Sequence, residues 1–274
     1  MKILANYHTH TNFCDGQNSA EEMVLAAIKA GFSSLGFSGH SYTPFDEEAS
    51  MSPDNTRAYI KEIKRLKEKY SNQIQLHLGI EKDYYSQINR QDFEYLIGSV
   101  HYIKDEKTKK FYSIDNTPEE LESCIENVFC GNVLKMVQRY YELIVDMAQK
   151  QKPDIIGHFD LIKKLNAGNR YFDEDAASYR KIALRALEKA AQCGCIFEIN
   201  SGGLYKKYTD CPYPADFLLT RLAQLGASVI ISSDAHDIYA LDFYFAEMLS
   251  SLPAWGFKEV TLIGQNGFFK TRLK

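Results

Sequence analysis

The sequence predicts an α/β barrel with its functional site at the carboxyl ends of the strands. Short apolar or β-branched runs alternate with longer helical patterns along the 274 residues. This alternation is typical of parallel strands joined by right-handed helical crossovers. Histidine and acidic side chains follow most of these runs. Because no Pro/Ser/Gly-rich linker interrupts the pattern, residues 1–274 are interpreted as a single domain.

Seven segments are predicted to be strands, and an eighth is left open. The seven segments are residues 3–8, 34–40, 74–81, 95–101, 155–159, 195–200 and 228–233. Residues 259–263 are the possible eighth strand. All of them are short apolar runs, a length and composition that favour buried parallel strands.

Helical patterns lie between the predicted strands. Ser19 and Glu22 have the spacing of a capping box, so the first helix is expected to begin here and to end at Gly31. Further helices are predicted at residues 54–70, from 117 to 131, from 132 to about 150, at 173–192 and at 215–224.

An open doubly wound sheet is the alternative to a closed barrel. In an open sheet, ligands gather at a switch point formed by two or three strand ends. Here seven separate segments offer a polar or metal-binding residue near a strand end. Closure would bring so many ends together, and (β/α) barrels place their sites at that face. The sequence therefore favours a barrel of seven or eight strands.

The strand ends carry nine candidate metal ligands. His8 and His10 are two residues apart, a spacing that places both imidazoles on one face of an extended segment. Asp234 and His236 repeat this spacing. The complete set is His8, His10, Asp15, His40, Glu81, His101, His158, Asp234 and His236.

Nine ligands exceed the three or four of a single zinc ion and fit two or three divalent ions. Imidazole and carboxylate ligands suit zinc, iron or manganese. The charge of three such ions exceeds that of the three carboxylates, and a phosphate dianion with one hydroxide would balance the difference. Because bound metals activate water and neutralise phosphoryl oxygens, the set indicates phosphate ester hydrolysis.

Composition narrows the partners. The net charge of −4 and the pI near 6.0 argue against nucleic acid as the main partner. No segment approaches the roughly 18 apolar residues of a membrane span, and the amino-terminal apolar run is too short for a signal peptide. We therefore expect a cytoplasmic protein that acts on a small phosphate ester, with its oligomeric state left open.

The motifs HTH-x4-D, GH, GIE, SVH, GH and SDAH follow one another from residue 8 to residue 236. In this order and spacing the chain resembles the polymerase-and-histidinol-phosphatase (PHP) family, and within it the monofunctional histidinol-phosphate phosphatases. The resemblance implies a distorted seven-stranded (β/α) barrel similar to the TIM barrel. It also implies hydrolysis of L-histidinol phosphate to L-histidinol and phosphate, in histidine biosynthesis, by a metal-bridging hydroxide.

The family pattern further implies three groups of ligands. The first ion would be held by His8, His10, Glu81 and Asp234. Glu81 would be shared with a second ion held by His101 and His158. Asp15, His40 and His236 would hold a third ion. The resemblance gives Asp15, His40 and Glu81 catalytic roles, with Asp15 and His40 near the departing group.

Substrate contacts are predicted at Asn200, Lys206 and Arg170. Many relatives carry an arginine after the Ser-Gly-Gly-Leu turn, where this chain has Lys206. His77 is expected to be a core histidine. Two alternatives to histidinol phosphate hydrolysis stay open, namely action on another small phosphomonoester or nucleotide, and a non-catalytic metal-binding module.

Overall fold

The computed structural model describes residues 4–273. Seven parallel strands form one sheet in the order β1-β2-β3-β4-β7-β8-β9. These strands are β1 (Ala5–Asn6), β2 (Ser34–Phe37), β3 (Gln75–Asp83), β4 (Tyr95–Ser99), β7 (Ile155–Ile156), β8 (Ile196–Asn200) and β9 (Val229–Ser232). Each lies within or overlaps a predicted segment, although residue 3 of the first prediction lies outside the described residues.

The two edge strands of this sheet meet, so the sheet forms a nearly closed barrel. A parallel bridge joins Thr9 to Ala235 just beyond β1 and β9. The backbone N–H of His10 donates to the carbonyl of Ala235 at 2.8 Å, and the N–H of Ala235 donates to the carbonyl of His8 at 3.1 Å. The predicted barrel is therefore confirmed, and it closes at the carboxyl ends of its strands.

Two antiparallel hairpins lie outside the barrel sheet. One consists of β5 (Tyr102–Lys104) and β6 (Phe111–Ser113), and the other of β10 (Glu259–Gly264) and β11 (Gly267–Arg272). The possible eighth strand is thus a strand, but it pairs with β11 and is not a barrel strand. It packs at the amino-terminal end of the barrel, where the N–H of Ile263 donates to Tyr7 Oη at 3.1 Å.

Helices follow most of the strands. They are α1 (Ala20–Ala30), α2 (Pro53–Lys69), α3 (Pro118–Phe129), α4 (Val133–Asp146), α5 (Ala177–Ala191), α6 (Gly202–Tyr205), α7 (Asp216–Gln224) and α8 (Phe245–Trp255). A π-helical turn, Met147–Gln151, extends α4, and short 3-10 turns occupy Arg90–Asp92, Leu161–Lys163 and Ala167–Asn169. Only a 3-10 turn connects β3 to β4, which distorts the regular strand–helix repeat. No helix within residues 4–273 is long and apolar enough to cross a bilayer.

Local signals set the helix boundaries. Ser19 and Glu22 form the predicted capping box, and Gly31 ends α1 in the left-handed conformation with φ of 82°. The predicted helix at 173–192 begins four residues late, because Asp173 accepts the N–H of Asp175 and of Ala176 in a turn. Helix α8 and the β5–β6 hairpin were not predicted.

A row of apolar side chains fills the barrel interior. It comprises Ala5, Tyr7, Tyr95, Ile97, Ile155, Ile196, Ile230 and Ile263. Tyr95 crosses this interior, where its hydroxyl donates to the carbonyl of Phe37 at 3.0 Å. The ring needs the space left by two glycines, because a Cβ at Gly79 would lie 2.3 Å from Tyr95 and one at Gly36 would lie 2.4 Å from it. The packed interior supports the strand ends that carry the site.

Gly79→Ala is expected to destabilise the fold by about 1–3 kcal/mol, the usual cost of an added methyl in a filled core. Chemical denaturation measures this change in the free energy of unfolding. In a Tyr95→Leu background the same substitution should cost less, because the clashing ring is gone. An equal cost in both backgrounds would contradict the proposed clash.

Candidate metal centre

Nine histidine and acidic side chains meet at the open mouth of the barrel. They come from the segment after β1, the loop before α1, the end of β2, β3, and the segments after β4, β7 and β9. In chain order they are His8, His10, Asp15, His40, Glu81, His101, His158, Asp234 and His236. Every candidate ligand recognised in the sequence therefore lies at this mouth.

Glu81 is the centre of the cluster, and its side chain is only 1% exposed. Its Oε1 lies 2.9 Å from His158 Nε2 and 3.5 Å from His101 Nε2. Its Oε2 lies 2.9 Å from His40 Nδ1, 3.3 Å from His8 Nε2 and 3.5 Å from His10 Nε2. Five imidazoles thus surround one buried carboxylate, which has an oxygen available to each of two neighbouring ions.

Four distances within the first ligand group are close to those of a tetrahedral site. His8 Nε2 lies 3.3 Å from Glu81 Oε2 and 3.4 Å from Asp234 Oδ1. His10 Nε2 lies 3.5 Å from the same Glu81 oxygen and 3.0 Å from the same Asp234 oxygen. Four atoms bound tetrahedrally to zinc at 2.0–2.1 Å would be roughly 3.3 Å apart. These four distances are close to ligand spacing, and His8, His10 and Glu81 form one candidate group.

Unpartnered buried atoms in the same group also fit a cation. Within the described residues, His8 Nε2, His10 Nε2 and Glu81 Oε2 are buried and have no hydrogen-bond partner. A buried polar atom without a partner is costly, and such atoms are rare in native proteins. All three atoms belong to the first ligand group, so one ion would satisfy them together.

The electrostatics of the cluster favour positive charge. Burial disfavours protonated His8, but Glu198, Asp234 and Glu81 outweigh it and raise its pKa to about 10. Burial likewise opposes ionised Glu81, yet His8, His40 and His101 keep the pKa of its carboxyl well below the usual range. The acids therefore stay ionised and attract a cation, which would displace the imidazole protons.

The remaining ligands form a second and a third group. The second group implied by the family pattern consists of Glu81 Oε1, His101 and His158, at the distances given above, and the structure also brings His40 together with Glu81 and His101. In the third, Asp15 Oδ2 lies 2.9 Å from His236 Nε2 and 3.6 Å from His40 Nε2. Asp15 and His40 are 31% and 21% exposed, whereas His8 and His10 are fully buried. The third group is therefore the one most open to solvent.

A cavity of 220 Å³ opens beside the cluster. Ligands from all three groups line it. The rest of its lining includes Lys164, Lys206, Asp46, Asp115, Tyr102 and Tyr208. The cavity thus combines the ligand cluster with two lysines, three acids and three aromatic rings, which is room and chemistry for a small charged molecule.

The three predicted substrate-binding residues have different positions. Lys206 lines the cavity, and its Nζ lies 3.2 Å from His236 Nδ1. Asn200 is buried, where its Nδ2 donates to Glu198 Oε2 at 2.9 Å and its Oδ1 accepts the N–H of Gly202 at 2.7 Å. Asn200 therefore holds the loop after β8 and is absent from the cavity lining.

Arg170 lies outside the cavity. It is 53% exposed, and its guanidinium donates to Glu122 at 2.9 Å. It follows the turn Ala167–Asn169, a segment whose direction the sequence did not indicate. Lys164, which was not singled out, lines the cavity instead and donates to Asp115 at 2.8 Å. The two lysines, and not Arg170, are thus the cations near the cluster.

Two carboxylates lie directly behind the ligands. Glu198 accepts from His8 Nδ1 at 2.6 Å, and Asp83 accepts the backbone N–H of His101 at 3.0 Å. Carboxylates in such places orient and support the ligands that they contact. Asp160, two residues after His158, instead forms a buried ion pair with Lys163 at 3.0 Å. Glu198 was overlooked, although an acid inside an otherwise apolar strand is a usable signal.

The barrel and its donor set together define a metal-binding (β/α) barrel protein. Residues 6–202 match the family model described as PHP domain. The chain belongs to this family. The match ends before Asp234 and His236, which the barrel closure brings to the other seven candidate ligands.

Relatives of the chain span nearly its whole length. "Probable histidinol-phosphatase" from Deinococcus radiodurans is 29% identical over 95% of this chain and 97% of its own. "Histidinol-phosphatase" from Bacillus subtilis is 27% identical over 84% of this chain and 92% of its own.

Solved structures share the fold. A Listeria monocytogenes structure has a TM-score of 0.77 at 23% identity, covering 89% of this chain and 99% of its own. The histidinol phosphate phosphatase of Lactococcus lactis, complexed with zinc, L-histidinol and phosphate, has a TM-score of 0.70 at 21% identity. It covers 97% of this chain and 98% of its own. Both likenesses support the seven-stranded barrel.

His10→Ala is expected to weaken binding of the first ion by more than about 100-fold, since loss of a ligand should exceed the 10- to 100-fold cost of losing a supporting contact. Elemental analysis of the purified protein and chelator competition measure this loss. His77→Ala is the control, because His77 is buried 5.7 Å from the Tyr7 ring and belongs to no ligand group. Wild-type metal content in His10→Ala would contradict the site.

Proposed function

We propose that the protein is a histidinol-phosphatase that hydrolyses L-histidinol phosphate to L-histidinol and phosphate. The observation that carries this proposal is the complete ligand cluster at the mouth of a PHP-family barrel. Curated relatives that match 84–95% of the chain bear this name. The Lactococcus lactis protein with the same fold was crystallised with zinc, L-histidinol and phosphate.

The nine clustered side chains are the proposed metal ligands, in the three groups described above. Divalent ions suit this set, and we propose two or three of them, drawn from zinc, iron and manganese. When bound, such ions bring the pKa of water toward about 7 and neutralise phosphoryl oxygens. The buried first group would hold its ion most rigidly, because both of its imidazoles lie 3.0–3.5 Å from the Glu81 and Asp234 oxygens.

The proposed phosphate contacts are Lys206 and Lys164, the two cations that line the cavity. Lys164 is paired with Asp115, so part of its charge is already balanced. Lys206 has no carboxylate within 4 Å among residues 4–273. It is therefore free to turn toward a phosphate oxygen. A lysine supplies a point charge there without the two-pronged hydrogen bonding of arginine.

Asp15 and His40 are the proposed neighbours of the leaving oxygen. They are the most exposed members of the ligand cluster and border the cavity. A group in this place is positioned to return a proton to the departing alkoxide. Glu81, in contrast, is buried among five histidines, and its proposed part is to hold the ligand groups in register.

One part of the cavity wall suits the alcohol part of histidinol phosphate. L-Histidinol carries a primary amine, protonated at neutral pH, and a flat imidazole ring. Asp46 and Asp115 supply negative charge on this wall, the latter partly balanced by Lys164, and Tyr102 and Tyr208 supply aromatic rings. A sugar phosphate has neither a cation nor an aromatic ring to match them. This wall favours histidinol phosphate over other small phosphate esters.

Metal-loaded protein is expected to release phosphate from L-histidinol phosphate at least about 100-fold faster, in kcat/KM, than from glycerol phosphate or ribose phosphate. This ratio corresponds to about 2.7 kcal/mol of differential transition-state binding. A chelator should abolish the activity, and added zinc or manganese should restore it. Equal turnover of all esters would refute the substrate while leaving a general phosphatase.

Lys206→Gln is expected to lower kcat/KM for histidinol phosphate roughly 10- to 100-fold, the range of a lost hydrogen bond to a charged group. Steady-state phosphate release measures it. Lys207→Gln is the matched control, since Lys207 is the next residue but does not line this cavity. Equal effects of the two substitutions would show that only general charge matters.

A further inference from the structure

Glu198 lies in β8, directly beneath the ligand cluster, and its side chain is 1% exposed. Four hydrogen-bond donors converge on its carboxylate. Oε1 accepts from His8 Nδ1 at 2.6 Å and from the hydroxyl of Ser232. Oε2 accepts from the backbone N–H of His158 at 2.8 Å and from Asn200 Nδ2 at 2.9 Å. One carboxylate thus contacts two candidate ligands from different strands.

The position requires an ionised carboxylate. An amide at residue 198 would turn an NH2 group toward at least one pair of these donors, since Gln has only one acceptor oxygen. An ionised carboxylate accepts on both oxygens, so His8 Nδ1 must carry the proton that it shares with Oε1. His8 Nε2 then faces Glu81 and Asp234. The contact therefore selects the imidazole nitrogen that is presented to the first ligand group.

The second contact fixes a different ligand group. His158 follows β7, and the hydrogen bond from its backbone N–H to Glu198 holds the start of that segment. The imidazole of His158 lies next to Oε1 of Glu81, whereas the imidazole of His8 lies next to Oε2 of Glu81. Displacing Glu198 would consequently shift ligands on both sides of Glu81.

We propose that Glu198 is a positioning residue that prepares two neighbouring ion sites at once, through the His8 side chain and the His158 backbone. The proposal rests on the metal ligands assigned under the proposed function. Asp83 offers a contrast, because it accepts the N–H of His101 at 3.0 Å and lies 3.5 Å from His101 Nδ1. Asp83 therefore supports a ligand of the second group alone.

The test measures zinc binding to full-length, metal-depleted protein by competition with a chromogenic chelator. Glu198→Gln should lower the affinity for two zinc ions, each about 10- to 100-fold, the range measured for residues that support metal ligands. Asp83→Asn should weaken only one. Glu174→Gln is the control, because Glu174 accepts from Asn166 and contacts no candidate ligand. It should bind zinc as the wild type does.

Cobalt absorption separates positioning from a general loss of stability. With cobalt in place of zinc, the d–d bands of Glu198→Gln should shift, since the orientation of His8 and His158 changes, while those of Glu174→Gln should not. Unchanged zinc affinity with unchanged bands would overturn the proposal. An equal loss of affinity in Glu174→Gln would overturn it as well. The probe is the metal alone, so failure of the proposed substrate would leave this result standing.

Ser232→Ala provides a second variant that keeps the carboxylate and removes one of its donors. If Glu198→Gln does not fold, as judged by circular dichroism, this milder change replaces it in the same assay. A two- to fivefold loss of zinc affinity with a smaller cobalt shift would support the proposal. Wild-type affinity in Ser232→Ala would then overturn it.

Discussion

The contact of the buried Glu81 carboxylate with five imidazoles is the interaction on which the rest of the site depends. An ion in such a place is stable only when opposite charge and hydrogen bonds surround it, because burial alone would neutralise the acid. The histidines come from the ends of β1, β2, β4 and β7, so the arrangement exists only when four strand ends meet around β3. The ligand cluster therefore cannot form unless the barrel forms.

Solvent exposure increases across the cluster, from the first ligand group to the third. His8, His10 and Glu81 have almost no contact with solvent, while Asp15 and His40 border the cavity. Electrostatic attraction is strongest where water is excluded, which favours tight retention of an ion in the first ligand group. The third ligand group is more accessible to solvent and to a small molecule in the cavity. Retention and substrate contact are thus assigned to different members of one cluster.

Periodicity and strand-end chemistry predicted the barrel and all nine clustered side chains, because those signals are local in sequence. The contacts of Asn200, Arg170 and Glu198 were not predictable in this way. Arg170 depends on the direction of a turn, and Glu198 on which ligands lie above β8, both consequences of tertiary packing. The β10 segment has a strand pattern as predicted, yet pattern alone cannot distinguish pairing in a barrel from pairing in a hairpin.

Barrel closure also sets a time at which the first and third ligand groups can form. The bridge between Thr9 and Ala235 joins the start of the chain to a segment more than two hundred residues later. On the ribosome, the first and third ligand groups stay incomplete until residue 236 has emerged, because the first needs Asp234 and the third needs His236. Binding of ions to these two groups would therefore follow synthesis of the barrel, and the nascent chain must reach its fold with the acids and imidazoles compensating one another.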